Sequence, residues 1–499
     1  MNSNSTSRAG RPIARGVRRW YRRGLWCAGA VAVLWAATAL LHTLKPLPPG
    51  LSFAGPARPA EEVRFLRDLT FIDEEGGRQV EQEIFDAVFA MIDDAERFIL
   101  LDMFLYNDFQ GAQAEQTRTL CGQLTDRLIA RREARPGIEI HVITDPINTV
   151  YGGMSSPHLS RLTAAGIPVT LTDLSRLRDS NPIYSAAWRL FARPFGNRPG
   201  DLAPNPFGEG RVSIRSYFSL LNFKANHRKL IVTDGPRGLV GLVTSANPHD
   251  GSSAHQNVAL QFTGLAAADL LEAERAVLEF SGAPKISFEP SLPAASESGL
   301  RVKIISEKQI EKEAISMLEL SGGRRDSEGA TIELVMFYLS DRHIVEALRS
   351  AAKRGASVRI ILDPNKDAFG HEKNGIPNRQ VAAELHDVPG IEIRWADTHG
   401  EQCHSKMLLV RERGGLSKLL LGSANFTRRN LHDLNLELNA LASGPSDEKL
   451  FQRAHEYFEQ IWHNENQRSF TVAYDAYRDD SRLRYWRYRV MEATGLSTF

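Results

Sequence analysis

The sequence predicts an α/β protein in which one unit occurs twice, as two domains related by a pseudo-twofold axis behind an N-terminal transmembrane helix. Apolar strand-like runs alternate with amphipathic helical stretches along most of the 499 residues. Five short blocks recur in the same order in the two halves of the chain. An uncharged run of 21 residues begins at Gly24. Each domain is therefore expected to be a mixed sheet flanked by helices.

The N-terminus joins a basic segment to an apolar one. Residues 1–24 carry seven arginines and no acidic residue, and residues 25–44 are long and apolar enough to cross a bilayer. A cleaved secretory signal is the alternative, since residues 37–39 (Ala-Thr-Ala) form a weak cleavage pattern. Because basic flanks stay in the cytoplasm, both interpretations place the body on the exported side, periplasmic or extracytoplasmic. Residues 45–61, rich in Pro and Gly, are expected to be a tether-like linker.

Five recurring blocks define the duplication. They pair 99–108 with 332–341, 139–146 with 357–364, 166–173 with 390–397, 226–232 with 403–409, and 244–247 with 422–425. The repeats predict a first domain at 62–285 and a second at 300–465, joined by a Pro- and Ser-containing linker at 286–299.

An insert at 174–226 distinguishes the first copy from the second. It separates Asp173 from His227 by 53 residues, whereas six residues separate Asp397 from His404. The insert is either a surface loop with its own small core or a lid that contacts lipid.

Aromatic residues interleaved with arginine occur in the insert and in the basic C-terminal tail, 466–499. Trp188 and Phe191 of the insert and Trp486 of the tail are candidate membrane-interface residues. Packing of the tail on the body is the alternative.

Two His-x-Lys motifs carry the candidate catalytic residues. Residues i and i+2 of a strand point to one face, so the side chains of His227 and Lys229 are expected to point to one place, as are those of His404 and Lys406. A Ser-Ala-Asn turn follows each motif and adds four candidates: Ser245, Asn247, Ser423 and Asn425. If the two motif strands meet across the pseudo-twofold axis, one site holds two imidazoles, two ammonium groups and two amides.

This set of side chains suits the cleavage of a phosphodiester. One neutral histidine can attack phosphorus to form a phosphohistidine, while the other, protonated, supplies the leaving group with a proton. The lysines and asparagines can hold the non-bridging oxygens, and both serines are expected to bind substrate. The mechanism needs no metal and no other cofactor, and no acidic cluster in the sequence suggests one.

The paired motifs make the sequence resemble the phospholipase D superfamily, whose mark is two copies of His-x-Lys-x4-Asp followed by Gly-Ser-x-Asn. The resemblance covers residues 62–465 and implies two facing phospholipase D-type domains with the histidines at the seam. The sequence departs from the family pattern at two positions, where Thr244 replaces Gly and Arg411 replaces Asp. We interpret Arg411 as tolerated, because that acid is more often structural in the family.

The family also often places an acid downstream that orients a catalytic histidine. Glu437 matches this acid, and by spacing Ala259 takes its place in the first copy. One histidine is therefore expected to lack its usual partner or to take it from elsewhere. The resemblance implies that His227 is the nucleophile and His404 the acid.

Other polar residues are given structural interpretations. His249 and His255 are expected to be loop residues rather than site residues. Cys403 is expected to pack in the core. Asp145 and Asp363, each before a proline, are expected to form turns.

The motif defines the bond more closely than the substrate. An export-directed anchor favours a phospholipid, either hydrolysed or used for phosphatidyl transfer as in cardiolipin synthesis. A nuclease for single-stranded nucleic acid is the alternative enzyme, although the net acidic body counts against it. A non-catalytic lipid-binding protein is the third hypothesis, supported only by Arg411 and Ala259. The pattern predicts no particular oligomeric state.

Overall fold

The structure is a computed structural model that describes residues 12–111, 117–236, 238–291, 298–320, 329–368, 371–412, 415–497 and 499. In chain order the described strands are β1 (Arg58–Pro59), β2 (Val63–Ile72), β3 (Arg78–Gln82), β4 (Phe98–Met103), β5 (Glu139–Thr144), β6 (Val169–Leu171), β7 (Ala203–Pro204), β8 (Arg211–Val212), β9 (Lys229–Gly235), β10 (Gly238–Thr244), β11 (Asn257–Thr263), β12 (Arg301–Ser306), β13 (Thr331–Met336), β14 (Ser357–Leu362), β15 (Asp367–Ala368), β16 (His371–Glu372), β17 (Ile391–Ala396), β18 (Lys406–Arg411), β19 (Leu416–Gly422), β20 (Leu438–Pro445) and β21 (Thr471–Ala473).

The described α-helices are α1 (Pro12–Leu44), α2 (Ile84–Asp94), α3 (Leu120–Ala134), α4 (Pro157–Ala164), α5 (Pro182–Phe191), α6 (Ile214–Leu220), α7 (Leu265–Phe280), α8 (Lys308–Leu320), α9 (Arg342–Lys353), α10 (Asn378–His386), α11 (Arg428–Leu431), α12 (Lys449–His463) and α13 (Arg482–Thr494).

Two large mixed sheets share the same order in seven of their strands. The first runs β3-β2-β11-β10-β9-β4-β5-β6, and the second runs β1-β12-β20-β19-β18-β13-β14-β17-β21. In both, a parallel trio (β4-β5-β6 and β13-β14-β17) continues into antiparallel strands. The prediction of an α/β fold built from mixed sheets and flanking helices is confirmed.

The two sheets face each other across one apolar core. Fully buried side chains of the first repeat, such as Val232 and Leu260, share this core with Leu409 and Leu421 of the second. A separate core on the outer face of each sheet packs that sheet's own helices. Helix α7 of the first repeat also contacts β12, and α12 of the second contacts β2, so the two repeats are interlocked.

Residues 45–61 are packed on the body, so the prediction of a tether-like linker there is wrong. Strand β1 pairs with β12 at the edge of the second sheet. Leu51 is fully buried, and the Arg58 guanidinium contacts both carboxylate oxygens of Asp269 in α7 at 2.8 and 2.9 Å. The segment is ordered because its apolar side chains and its arginine have partners that composition alone does not reveal.

Helix α1 is the one described helix that is long and apolar enough to cross a membrane, since a window of 18 residues within 19–44 reaches a mean hydropathy of 1.9. Its last turns lie against α5 of the insert. Trp35 Nε1 donates to the Ile183 carbonyl at 3.0 Å, and Asp179 N donates to the His42 carbonyl at 2.9 Å. Residues 35–44 span about 14 Å of helix, so the insert runs along the end of α1 that leads into the body.

Candidate active site

Backbone pairing across the two repeats positions both motifs. His227 N donates to the Leu436 carbonyl at 2.8 Å, and His404 N donates to the Gln256 carbonyl at 2.9 Å. Each His-x-Lys motif therefore begins beside a segment of the other repeat. This places the candidate site at the seam between the two sheets.

The His227 imidazole is oriented by a carboxylate of the second repeat. Its Nδ1 lies 3.0 Å from Glu437 Oε2, and Ser423 Oγ and Asn430 Nδ2 also donate to that carboxylate. The ring packs against Phe104, with centroids 4.8 Å apart. Because a carboxylate only accepts, the hydrogen lies on Nδ1 and the lone pair on Nε2.

The His404 imidazole has the same arrangement with an amide in place of the carboxylate. Its Nδ1 lies 3.1 Å from Asn257 Oδ1, and Ser245 Oγ donates to the same oxygen at 2.9 Å. The ring contacts Phe337 at a centroid distance of 5.0 Å. The two halves of the site are therefore alike in geometry and different in charge.

Asn257, and not Ala259, occupies the position of the orienting acid in the first repeat. The register pairs Thr244 with Ala259 and Gly422 with Asn439, so Ala259 corresponds to Asn439. Sequence reasoning missed Asn257 because the connection before β20 is longer than the connection before β11. Counting residues from the Ser-Ala-Asn turn therefore aligns Glu437 with Ala259 instead of Asn257. The strand register of each sheet was the signal that could have found it.

Burial sets the protonation of the two histidines. It lowers the pKa of His227 to about 4, against the opposing effect of Glu437. Burial, followed by the Lys406 charge, lowers the pKa of His404 well below its ordinary value. Burial alone would raise the pKa of Glu437, but His227 and Lys229 hold it below its usual value. Both imidazoles are thus neutral, and the carboxylate ionised, while no anion is bound.

The two motif lysines are buried behind the histidines. Each Nζ donates to the carbonyl of its own motif histidine at 2.7 Å, and each ammonium group lies over the phenylalanine ring beside that histidine, at 5.0 and 5.2 Å. Burial lowers the pKa of Lys229 to about 7. Burial and the Lys229 charge lower the pKa of Lys406 well below its ordinary value. An anion bound between them would favour their charged forms.

Both histidines border one cavity of about 350 Å³. Asn247 and Asn425 border it too, so the structure brings both amides to the imidazoles. The wall includes six large apolar side chains, those of Phe104, Phe207, Leu220, Phe223, Phe337 and Phe499. Three of these six lie in the insert, which therefore forms one side of the candidate site.

The two serines predicted to bind substrate lie behind the cavity. Ser245 and Ser423 are fully buried, and their hydroxyls donate to Asn257 and Glu437. This geometry gives them a positioning role instead of contact with a substrate.

His255 lies in the loop before β11, as the sequence predicts, and it also borders the cavity. Gln402 N donates to its Nδ1 at 3.3 Å, and its ring lies 5.9 Å from that of His404. Burial lowers its pKa to about 3. His249, in contrast, is buried with its Nδ1 2.9 Å from Ser252 Oγ.

The two aspartates predicted to form turns also hold the motif strands. Asp145 and Asp363 each accept a hydrogen bond from the backbone amide two residues on, both at 2.7 Å. Their second oxygens accept from Asn226 N at 2.7 Å and from Cys403 N at 2.8 Å, just before each motif histidine. Cys403 itself is fully buried.

The acid that ends the first motif is structural. Asp234 accepts from the backbone amides of residues 96–98, which lead into β4. Arg411, its counterpart, pairs with Thr331 at the end of β18 far from His404. The departure at Arg411 therefore leaves the candidate site intact.

The candidate membrane-interface residues differ in exposure. Phe191 is 60% exposed and Trp486 65% exposed. Trp188 is half-buried and borders a smaller cavity between the insert and the rest of the first repeat. Two of the three side chains, those of Phe191 and Trp486, are therefore exposed enough to contact a membrane surface.

Residues 326–462 match the family model described as "Cardiolipin synthase, PLD-like domain". No curated protein matches the chain significantly in sequence. A solved phosphatidylserine synthase from Haemophilus influenzae Rd KW20 is 10% identical with a TM-score of 0.54, covering 89% of this chain and 96% of that one. A polyphosphate kinase from Porphyromonas gingivalis is 12% identical with a TM-score of 0.43, covering 87% and 54%. Nuc from Salmonella typhimurium, described as a phospholipase D family member, is 19% identical with a TM-score of 0.26, covering 36% and 99%.

The first of these structures shares the fold along most of both chains. The family match covers the second motif and its Gly-Ser-Ala-Asn turn. By sequence, residues 326–462 therefore match a PLD-like domain, and by fold most of the chain resembles the phosphatidylserine synthase. The first motif faces the second across the same cavity.

Proposed function

We propose that the protein is a membrane-anchored phospholipid phosphodiesterase or phosphatidyltransferase that works through a phosphohistidine. The observation that carries the proposal is the pair of imidazoles from two repeats on one cavity, each with a different partner at Nδ1. The match of residues 326–462 to a PLD-like domain supports phosphodiester chemistry in general. The apolar cavity wall and the helix α1 favour a lipid as the substrate.

In the first step, His227 Nε2 attacks phosphorus. The ring is neutral before attack, and Glu437 accepts its Nδ1–H. As the P–N bond forms, the ring becomes positively charged, and the carboxylate stabilises that charge. The P–O bond to the leaving group breaks, and the departing alkoxide takes a proton from His404.

His404 must gain a proton before it can act as the acid. Its pKa is depressed by burial and by the Lys406 charge, and a bound phosphodiester anion offsets both the lysine charges and the loss of solvent. After the first step His404 is neutral and removes a proton from water or an alcohol. The new P–O bond forms as the P–N bond breaks, and His227 returns to its starting state.

The remaining polar groups hold the phosphoryl oxygens. Lys229 and Lys406, whose Nζ atoms lie at the carbonyls of the two histidines, supply positive charge, and the Asn247 and Asn425 amides supply donors at the cavity wall. Fixed donors of this kind act most strongly where water is excluded.

The lipid substrate is supported by where the cavity lies. Insert residues line it, and the same insert packs along α1 through α5. Exposed apolar side chains continue from α5 over the insert and tail: Ile183, Phe191, Phe195, Phe218, Leu221, Trp486 and Val490. We propose that this surface rests on the bilayer, with the body on the exported side because the N-terminal arginines remain in the cytoplasm.

Turnover of phospholipid by the purified full chain tests the proposal. Wild type, His404→Ala and a His463→Ala control, whose side chain is 59% exposed, are incubated with phosphatidylglycerol and phosphatidylethanolamine in mixed micelles. We expect product from wild type and His463→Ala only, and its identity separates hydrolysis from transfer. If wild type leaves every phospholipid unchanged, the lipid function is wrong and oligonucleotides become the next substrate.

A further inference from the structure

Two histidines and two carboxylates meet in the second repeat, on elements outside the catalytic cavity. Glu311 lies in α8, Asp341 precedes α9, His343 lies in the first turn of α9, and His432 follows α11. One ligand atom from each lies within 4.8 Å of all the others. His343 Nδ1 is 2.6 Å from Glu311 Oε1, and His432 Nε2 is 2.8 Å from Asp341 Oδ2 and 3.5 Å from Glu311 Oε1.

We propose that these four side chains form a binding site for a divalent transition metal ion, with Zn²⁺ as the best fit. Two imidazole nitrogens and two carboxylate oxygens form a set that Zn²⁺ accepts in tetrahedral geometry. Two ionised carboxylates also balance the charge of the ion. Mg²⁺ and Ca²⁺ prefer oxygen ligands alone and fit this set less well.

The surroundings hold the ligands in position. Asp341 Oδ1 accepts from the backbone amides of His343 and Ile344 at 3.0 and 3.1 Å. These two hydrogen bonds fix the direction of Oδ2, the oxygen that faces His432. The carboxylates of Glu311 and Asp341 are buried, while the His343 side chain is 65% exposed. The cluster borders a cavity of about 190 Å³, through which an ion can reach it.

Three arginines border the same cavity, and each has another partner. Arg342 contacts both carboxylate oxygens of Glu384 at 2.9 and 2.8 Å. Arg428 donates to the Glu492 carbonyl at 3.2 Å, and Arg489 lies over a tyrosine ring. Because these groups are engaged elsewhere, they leave the ligand atoms accessible.

The site is linked to the catalytic carboxylate through the chain. His432 follows α11, in which Asn430 donates to Glu437. The next residue, Asp433, accepts from Lys308 N at 3.0 Å, where α8 begins. An ion that ties His432 to α8 and α9 would therefore fix the segment that supports the partner of His227.

A second cluster in the same repeat provides a matched control. Glu333, His455 and Glu459 also bring their ligand atoms within 4.8 Å of one another. There, Arg359 donates to both carboxylates, so a cation already occupies the position of an ion. His455→Ala should leave metal binding unchanged.

The test measures Zn²⁺ and Co²⁺ binding to the full chain in detergent, purified without a polyhistidine tag and stripped with chelator. We expect one equivalent by elemental analysis, a visible Co²⁺ spectrum typical of four-coordinate nitrogen and oxygen ligands, and a higher melting temperature with Zn²⁺. His343→Ala and His432→Ala should each weaken binding by more than about tenfold. His455→Ala should bind as wild type does.

His404→Ala must also keep its equivalent, because the catalytic imidazoles are the competing site for a metal. The proposal is overturned if wild type binds no metal, if the double variant His343→Ala/His432→Ala still binds one equivalent, or if His404→Ala loses it. None of these outcomes depends on whether the protein turns over phospholipid. The circular dichroism spectrum of each variant shows whether it is folded.

Discussion

The Glu437 carboxylate of the second repeat accepts a hydrogen bond from Nδ1 of His227 in the first, at 3.0 Å. In turn, the Asn257 side-chain oxygen of the first repeat accepts a hydrogen bond from Nδ1 of His404 in the second, at 3.1 Å. An anion stabilises an imidazolium more than a neutral amide does. Duplication has therefore produced a site with symmetric geometry in which His227 is better suited to carry positive charge and His404 to release a proton.

Glu437→Gln should lower kcat by at least about a hundredfold, because a neutral amide does not stabilise the positively charged His227 as a carboxylate does. The side chain keeps its size, so binding should change much less than kcat. Steady-state kinetics on phosphatidylglycerol measure both. A kcat within a factor of about three of wild type would show that the carboxylate is not the partner of the nucleophile.

Asn257→Asp should move the alkaline limb of the kcat/KM profile to higher pH. A carboxylate beside His404 raises its pKa, and the acid must be protonated, so activity persists to higher pH. Groups near His404, including Lys406 and His255, lower its pKa in both proteins. The control is Asn464→Asp, whose side-chain oxygen accepts two backbone amides far from the cavity. A profile that shifts equally in both variants would contradict the assignment.

A substrate with a good leaving group should separate the roles of the two histidines. A p-nitrophenyl phosphodiester needs no acid to leave, so His404→Ala should still form the phosphohistidine and should hydrolyse it slowly. His227→Ala should form none. Mass spectrometry of peptides kept at alkaline pH, where phosphohistidine survives, locates the adduct. An adduct on His404 in the His227→Ala protein would reverse the assignment.

The duplication and the motif pairs could be predicted from the sequence because both are local. A buried strand followed by Asp-Pro, or His-x-Lys followed by an apolar run, has a recognisable pattern within ten residues. These patterns predicted the mixed sheets and identified the side chains that now border the cavity, His227, His404, Asn247 and Asn425.

The parts that were missed depend on contacts between distant segments. Asn257 orients a histidine of the other repeat, and loop lengths that differ between the copies hid its correspondence with Glu437. The sequence predicts that Ser245 and Ser423 bind substrate, because it does not show that their hydroxyls donate to Asn257 and Glu437. Leu51 is buried only because the second sheet provides its partner.

Arg228→Ala should lower the free energy of unfolding by about 3–5 kcal/mol. Arg228 is fully buried between Glu274 at 2.8 Å and Glu307 at 2.9 Å, and its loss leaves two buried carboxylates without a cation. Glu307 also accepts from Glu437 N at 3.0 Å, so activity should fall as well. Denaturant unfolding in detergent measures the change. The control is Arg453→Ala, which breaks the exposed ion pair with Glu83 and should lower the free energy of unfolding by about 0–1 kcal/mol. An equal loss in both variants would contradict the prediction.

Phe191→Glu should lower turnover of bilayer phospholipid by about tenfold, because an exposed apolar side chain that enters the interface contributes roughly 1.5–3 kcal/mol. Turnover of a short-chain phosphatidylglycerol below its micelle concentration should not change, since that substrate reaches the cavity from water. Leu416→Glu is the matched control, because Leu416 is 58% exposed and begins β19 at the end opposite Gly422 and the site. Proteoliposomes and monomeric substrate are assayed in parallel. A loss with both substrates would place Phe191 in the fold or the site, and no loss with either would mean that this surface does not meet the membrane.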